Sequence, residues 1–466
     1  MTHTLMPALL AAAVLGGCAT LDTGSGFAAV ERSARDRLGK ELRWARSEAD
    51  QSLIDQRVAE LLAQPLTADD AVQLALLSNR GLQATFQELG IGAADLTQAG
   101  RLPNPGFSFN RLVRGSELEV ERGLHWNLAR LLALPQLQRL EAAHYAQMQG
   151  AVTTAMLTLA ADAKKAWINA VAADENVRYM RQVQQAAQAG AELARRMAQV
   201  GNFNKLQQAR EQAFQADAAL SLAQAMQAQR GARERLTRLL GLWGEQTAFR
   251  LPERLPDLPV PPIDQPDIER SAMAQRLDVQ GAKQAAEQTA QSLGLTRSTR
   301  LVNVLELGAV RNGSNQMPTQ RGWELSVELP MFDWGDARIA RAEATYMQAL
   351  QRAAETAINA RSEVRESYGN YRSAYDIARH HRDEIVPLRK QIADETLLRY
   401  NGMLIGVFEL LADARLQIAS VNASIQALRD FWLAEADLQM ALIGKPGLMP
   451  GAAATTNTAA DSAAAH

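Results

Sequence analysis

The stretch Gly322–Leu350, GWELSVELPMFDWGDARIARAEATYMQAL, reads as a strand that runs straight into a helix. Leu325, Val327 and Leu329 alternate with Ser326 and Glu328, the period-two pattern of a sheet with one apolar face. Pro330 has no backbone donor and ends the ladder. Asp333 and the Trp334-Gly335 turn then lead into a sequence rich in Ala, Arg and Glu, all good helix formers. A poorer copy of the same junction occurs earlier. It runs Gly123-Leu124-His125-Trp126-Asn127-Leu128, then Leu134-Pro135, then a helix through Glu141 and Tyr145.

The two copies are in register. Tyr145 and Tyr346, Trp167 and Tyr368, and Gly201 and Gly402 each lie 201 residues apart, while Gly241 and Gly444 lie 203 apart. A tandem duplication of this period is too long for a solenoid and describes two copies of one large unit. The first repeat is assigned to residues 66–250, with strands near 104–130, and the second to 268–446, with strands near 301–330. Between them, residues 251–267 carry Pro252, Pro256, Pro259, Pro261, Pro262 and Pro266, which predicts a stiff extended connector. The Ala/Thr/Gly-rich tail 447–466 is expected to be disordered.

Composition narrows the class. At 466 residues the length alone suggests about three domains, but the duplication argues for one elongated body in two halves. Aromatic content of 5% with abundant Ala favours thin helix-on-helix packing. A net charge of -2 gives no basic footprint, so no nucleic-acid partner is expected. No long apolar run follows the N-terminus, so no transmembrane helix is expected.

At the N-terminus, the apolar run Leu5–Leu15 is followed by Leu15-Gly16-Gly17-Cys18. This resembles the lipobox of bacterial lipoproteins, which implies removal of residues 1–17 and acylation of Cys18, the chain's single cysteine. The alternative is a secretory signal with a chance cysteine, and the leading segment carries only His3 where Lys or Arg is usual. Ala19 in place of Asp after the cysteine implies, by the same resemblance, sorting to the outer membrane. Residues 18–65 are expected to be a lipid-anchored segment, polar and partly helical, with little core.

The first firm helix opens at Leu66-Thr67-Ala68-Asp69-Asp70-Ala71-Val72. Thr67 is its N-cap, Asp70 a weak capping-box partner, and Val72, Ala75 and Leu76 its buried stripe. Its counterpart is the helix from Ile268 through Val279. Pro103-Asn104-Pro105-Gly106 ends the first helical region. Phe107, Phe109 and Val113 then form a strand that turns at Gly115-Ser116. The return strand puts Leu118, Val120, Leu124, Trp126 and Leu128 on one face and Glu117, Glu119, Glu121, His125 and Asn127 on the other, with Arg122 interrupting the apolar face. In the second half Leu301–Val310 and Trp323–Leu329 form the matching hairpin around Asn312-Gly313-Ser314. Such hairpins suit a membrane barrel with a wet lumen; the alternative is a two-stranded ribbon packed on a soluble domain.

Long helices follow each hairpin. From Met148 to Met197 small or apolar residues recur at a mean spacing of 3.5, which imposes a left-handed supercoil. A helix from Gln136 to Val200 is roughly 100 Å long at the standard rise. Gly201-Asn202 stops it and Leu206–Leu240 returns. Ala337–Tyr400, the tip Asn401-Gly402 and Val407–Ile443 repeat this hairpin. The methionines of the stripe read as core, and His380-His381 as solvated helix surface, rather than as metal sites. The fold class is therefore mainly α, built from long coiled-coil hairpins, with two β-hairpins per chain.

Four strands cannot enclose a wet pore, and open edges are not allowed in lipid, so other chains must complete the sheet. At this point the chain resembles the TolC-type outer-membrane efflux proteins. The likeness rests on Leu66–Ala75, on Leu329-Pro330-Met331-Phe332-Asp333-Trp334-Gly335, and on the two Gly-centred tips, in order inside the duplication. It implies a homotrimer with a 12-stranded outer-membrane barrel, an α-helical periplasmic tunnel and an equatorial belt. It further implies passive export, driven by an inner-membrane pump through a periplasmic adaptor.

The tips Val200-Gly201-Asn202 and Asn401-Gly402-Met403 are then expected to dock the adaptor. Glu409 and, with a departure in spacing, Asp413 match lumen-facing carboxylates at the narrow end of the tunnel. The alternative for this pair is a solvated outer face with Arg415 or another nearby base as partner. No phosphate loop, nucleophile elbow or metal-ligand Cys cluster is present, so neither an enzyme nor a cofactor is expected. The second class of function is a lipid-anchored periplasmic coiled coil that acts as a structural tether. The cargo, drugs or metal ions such as copper or silver, is not legible.

Overall fold

The structure, a computed structural model, describes residues 24–259, 267–299, 304–328 and 331–445. Cys18, Leu329-Pro330, the later prolines of the connector and the tail lie outside the described residues. Among the described residues the chain forms eleven α-helices and four strands. In order these are α1 Ser25–Leu38, α2 Glu48–Leu62, α3 Ala68–Ser78, α4 Arg80–Ala99, β1 Gly106–Arg114, β2 Glu117–Asn127, α5 Leu128–Gln199 and α6 Lys205–Leu240. The second half adds α7 Ile268–Gln275, α8 Leu277–Ser298, β3 Leu305–Ser314, β4 Gln320–Val327, α9 Asp336–His380, α10 Val386–Asn401 and α11 Val407–Ile443. No described helix is long and apolar enough to cross a membrane.

The strands form one antiparallel sheet in the order β1-β2-β3-β4. The two hairpins, far apart in sequence, are joined by β2–β3 pairing, from Glu119 opposite Ser314 to Asn127 opposite Glu306. The first turn falls at Gly115-Ser116 as read, with Gly115 at φ 61°. The second does not fall at Asn312-Gly313-Ser314. Those residues stay in β3 because β2 pairs with them from the other side, and the turn is delayed to residues 315–319. Asn315 then ties the hairpins together: its Oδ1 accepts from the Leu118 amide at 2.8 Å and its Nδ2 donates to the Ser116 carbonyl at 2.8 Å.

Both junctions from strand to helix are built locally. Asn127 caps α5 by accepting from the Arg130 amide at 2.8 Å, so the helix begins seven residues before Pro135 rather than after it. The proline sits inside the helix and removes one backbone donor. In the second half Asp333 accepts from the Gly335 amide at 2.8 Å, and Gly335 takes φ 75°, a turn that starts α9. At 72 residues α5 runs without interruption for roughly 110 Å. The equivalent path in the second half is divided: a π turn at His381–Ile385 separates α9 from α10.

The core lies at mid-length. Trp167, Ile168, Val171 and neighbouring alanines of α5 pack against Leu74, Ala75 and Leu77 of α3, Leu236 and Leu240 of α6, and Leu433 and Ala436 of α11. Thr67 and Asp70 form the complete capping box of α3. Trp167 Nε1 donates to the Leu66 carbonyl at 2.7 Å, fixing the entry to that helix. Residues 24–65 are partly helical as expected but contribute more to the core than the little expected. Val30, Ala34, Leu42, Trp44, Ile54 and Val58 are all buried. Their apolar residues are spaced singly between charges, a pattern that reads as polar until packed around a helix. The start of the connector also packs: Leu255 and Leu258 are buried, and Trp432 Nε1 donates to the Pro256 carbonyl at 3.0 Å.

The duplication is visible at the break in each short helix pair. Asn79 between α3 and α4, and Arg276 between α7 and α8, share φ −66° with extended ψ. Each clamps the end of its half's last helix. Asn79 Nδ2 donates to the Leu239 carbonyl at 2.9 Å, and Arg276 Nη1 to the Ala441 carbonyl at 3.1 Å. Arg276 is fully buried and is held by Asp278 through Nε (3.0 Å) and Nη2 (2.6 Å), and by Glu363 at 2.6 Å. Burial works against its charge, but the bonds from Asp278 and Glu363 outweigh it and raise its pKa above the ordinary value. Lys164–Glu435 (2.8 Å) and Lys165–Asp437 (3.0 Å) add half-buried ion pairs between α5 and α11.

Candidate functional site

Two regions at opposite ends of α5 carry the features relevant to function. The first is the sheet. Its register aligns Phe107, Leu124, Ala309 and Trp323 in one row, and Trp126, Leu307 and Leu325 in the next on the same face. Phe107 and Trp323 are 69% and 76% exposed, so this apolar face has no cover among the described residues. The opposite face carries Ser108, His125, Gly308 and Glu324, together with Glu119, Glu121 and Asn312. His125, isolated in the sequence, has a defined place here. Its Nε2 lies 2.9 Å from Ser108 Oγ, and its ring covers Gly123 and Gly308, where any Cβ would collide with it. Asn312 donates to Glu119 across the two hairpins. Among the described residues the outer edges of β1 and β4 have no strand partner.

The second region is the pair of helical tips, which lie side by side. The rings of Phe203, just beyond the first tip, and Phe408, just beyond the second, stack at 4.8 Å. Phe203 is buried with Ala194 and Val407, and Met197, Tyr400 and Leu411 pack around them. This anchor holds Val200, Gly201, Asn202, Asn401, Gly402 and Met403 outside the packed cluster, all exposed. The first tip uses its glycine as expected, with Gly201 at φ 83°. The second does not. Gly402 has φ −77°, and Met403, 93% exposed, takes the left-handed position at φ 59°. The Met403 and Leu404 amides cap carbonyls of α10 at Tyr400 and Arg399, both at 2.9 Å, and this fixes the turn one residue later.

Glu409 and Asp413 share one face of α11 by spacing but have different surroundings. Glu409 is exposed and has no side-chain partner among the described residues. Asp413 is half-buried and accepts from Thr396 Oγ1 of α10 at 2.6 Å, which ties the hairpin together. Arg415 is not the partner of either. Its Nη2 meets Glu211 of α6 at 2.8 Å, and its guanidinium lies 4.3 Å from the centre of the Phe214 ring. Glu211 is buried, so this is a clamp between the hairpins. Further along, the Tyr179 hydroxyl of α5 donates to the Ile418 carbonyl at 3.3 Å, and burial pushes its pKa up. Thr396, Glu211 and Phe203 had no sequence signal, because each acts through a residue on another helix. His380 lies 3.2 Å from Glu384 on an exposed surface. Among the described residues no group of three or more His, Cys, Asp or Glu could hold a metal ion.

No family model matches the chain. Over 284 residues it is 26% identical to the cobalt-zinc-cadmium resistance protein CzcC of Cupriavidus metallidurans; the match spans 58% of this chain and 64% of that relative's length. Among solved structures it resembles CusC, described in connection with transmembrane channel formation, with TM-score 0.66 and 16% identity over 81% of this chain and 92% of CusC. The outer-membrane channel OprN gives TM-score 0.68 and 17% identity over 89% and 95%. The open state of the MtrE outer-membrane channel of Neisseria gonorrhoeae gives 0.67 and 18% over 80% and 88%. The fold is therefore the one these channels share. The resemblance to the TolC-type outer-membrane efflux proteins holds, and the mainly α class with a small antiparallel sheet is as read from the sequence.

Proposed function

We propose that this protein is the outer-membrane component of a tripartite efflux system, a passive exit duct rather than an enzyme. The observation that carries this reading is the four-stranded sheet with an uncovered apolar face and two unpaired edges, joined without a linker to a helix of 72 residues. In hydrocarbon a sheet must close on itself. Four strands per chain close as twelve from three chains, with the face of Glu119, Glu121 and His125 inside a wet lumen. Three-fold assembly is what the resemblance to the TolC-type proteins implies, and it would make a homotrimer in the outer membrane with the helices extending into the periplasm. A periplasmic tether gains nothing from such a face. Planar-bilayer recording of the purified full-length protein tests the duct: stable stepwise conductance is expected, and a protein that never conducts refutes it.

The partners are a periplasmic adaptor, docked on the two tips, and an inner-membrane pump. Cys18 is the proposed acylation site, with residues 1–17 removed. The mass of the mature N-terminus checks this, and an unmodified chain starting elsewhere refutes it. The similarity to a cobalt-zinc-cadmium resistance protein favours divalent metal cations as cargo over organic compounds. Sensitivity of a deletion strain to cobalt, zinc and cadmium, against unchanged sensitivity to organic antibiotics, is the expected profile.

Glu409 is the proposed lumen carboxylate of the narrow end. Its exposure and lack of a partner leave it free to face an aqueous axis, whereas Asp413 is engaged by Thr396. Three copies form a ring of like charges that repel one another at close range, so other helix contacts or cations must hold it shut. Glu409→Ala should lower cation selectivity severalfold and weaken divalent-cation block from the periplasmic side. Bilayer currents with wild-type selectivity and block in that variant would remove Glu409 from the lumen.

A further inference from the structure

The outward face of the sheet is not uniformly apolar. The register sets Phe109, Arg122, Arg311 and Arg321 in a single row across all four strands. One step nearer the turns on the same face lies Arg111, opposite Val120. All four arginines are exposed, and none has a side-chain hydrogen bond or ion pair among the described residues. The carboxylates of the strands, Glu117, Glu119, Glu121, Glu306 and Glu324, all fall on the opposite face by the same alternation. The sheet thus gathers its strand carboxylates on one side, where Arg114 stands opposite Glu117 at the turn, and sets four free guanidiniums among aromatic and aliphatic side chains on the other.

Position along the strands gives the row its meaning. From Arg321 the apolar face continues through Trp323, Leu325 and Val327 toward the helices, about 20 Å at the strand rise. That approaches the height of a barrel's hydrocarbon band. The arginines therefore lie at the band's far edge, on the side of the turns. An unpaired guanidinium is costly in mid-hydrocarbon, and the cost falls away at the interface. Strands lie about 4.8 Å apart, so Arg122, Arg311 and Arg321 span roughly 10 Å, a width over which two forks can grip one phosphate. Arg matches phosphate oxygens bidentately where Lys presents only a point charge.

We infer that Arg122, Arg311 and Arg321, with Arg111 beside them, form a binding site for the phosphorylated headgroup of a lipid in the leaflet on the turn side. The inference rests on the membrane-barrel reading above. The occupant is a membrane lipid because its chains would lie along Leu124, Trp323 and Leu325 while its phosphate meets the row. A free anion would use only the charges.

The test uses full-length protein in a neutral detergent, with native mass spectrometry reading retained lipid. Bisphosphorylated lipid A, its dephosphorylated form and inorganic phosphate are the probes. Wild type should retain the bisphosphorylated form at least tenfold more tightly than the dephosphorylated one, and millimolar inorganic phosphate should not displace it. The triple variant Arg122→Gln/Arg311→Gln/Arg321→Gln should lose the preference. A triple Arg→Lys variant, which keeps the charge and preserves folding if the Gln variant does not, should lose most of it. Equal retention of the two lipids by wild type overturns the site, as does an undiminished preference in the Gln variant. So does displacement by phosphate, which would mean a simple anion site. Conductance of wild type in the bilayer assay is independent of these outcomes, so a failed lipid site and a failed duct are told apart.

Discussion

Arg276→Met should destabilise the protein by about 3 kcal/mol and lower its unfolding midpoint in urea, followed by helical circular dichroism. The guanidinium has no solvent exposure and holds four groups at once: Asp278, Glu363 and the carbonyls of Ala441 and Ala360. Removing one member of a buried ion pair typically costs roughly 3–5 kcal/mol, because the remaining charges are stranded. Here the lower end applies, since the side chains of Asp278 and Glu363 are 23% and 24% exposed and can recover some hydration. Arg276→Lys should fall between, because an ammonium keeps the charge but cannot satisfy both carboxylates and a carbonyl with one planar fork. A methionine variant as stable as wild type would mean that the network contributes no net stability. The double variant Asp278→Asn/Glu363→Gln in the methionine background should recover part of the loss, as expected if stranded charge is its cause.

A bulky group at Asn202 combined with a charge at Met403 should reduce export to the level of a deletion strain while leaving assembly intact. Both side chains are exposed, and the packing at this end is supplied instead by Phe203 against Phe408. The substitutions therefore leave the core cluster alone. A charge forced into a docked contact without a partner costs on the order of 3 kcal/mol, about a hundredfold in affinity. Efflux measured beside trimer yield decides the matter, and normal export would place adaptor docking elsewhere. Met403→Gly separates shape from chemistry. It should relieve a left-handed backbone worth roughly 1 kcal/mol, so lost export in that variant would assign the docking contact to the side chain.

The parts of this fold that were legible in the sequence are those set by neighbours along the chain. Leu325 and Val327 alternate with Ser326 and Glu328, and the register confirms the face they occupy. Thr67 and Asp70, three residues apart, cap α3 as their spacing requires. What was missed depends on partners far along the chain. Asn312-Gly313-Ser314 has turn chemistry, yet β2 holds it in a strand. Residues 24–65 look solvated, yet Trp44 and Ile54 are buried against distant helices. Ile268 through Val279 reads as one helix, yet it breaks at Arg276, where Asp278 and Glu363 close around the guanidinium. At the tips, Gly402 marked the turn but not the residue that bears its positive φ, because the Met403 and Leu404 amides choose their carbonyls after the helix has ended. Asp413 shows the same limit: its spacing from Glu409 fixed a helix face, while Thr396 on the facing helix determines what that carboxylate does.

The pairing of β2 with β3 also governs the order in which the molecule can form. Asn127 and Glu306, opposite one another, are separated by 179 residues of chain. During synthesis the first hairpin is complete long before its partner strand exists. A lone two-stranded ribbon is marginal in water, and closing so long a loop is slow. Through that interval Phe107, Phe109 and Trp126 stand on an unprotected ribbon beside an open edge, the form most prone to pair with the wrong chain. The long helices, with their local contacts, can form early. The sheet, with its long-range pairing, is then the last part to mature.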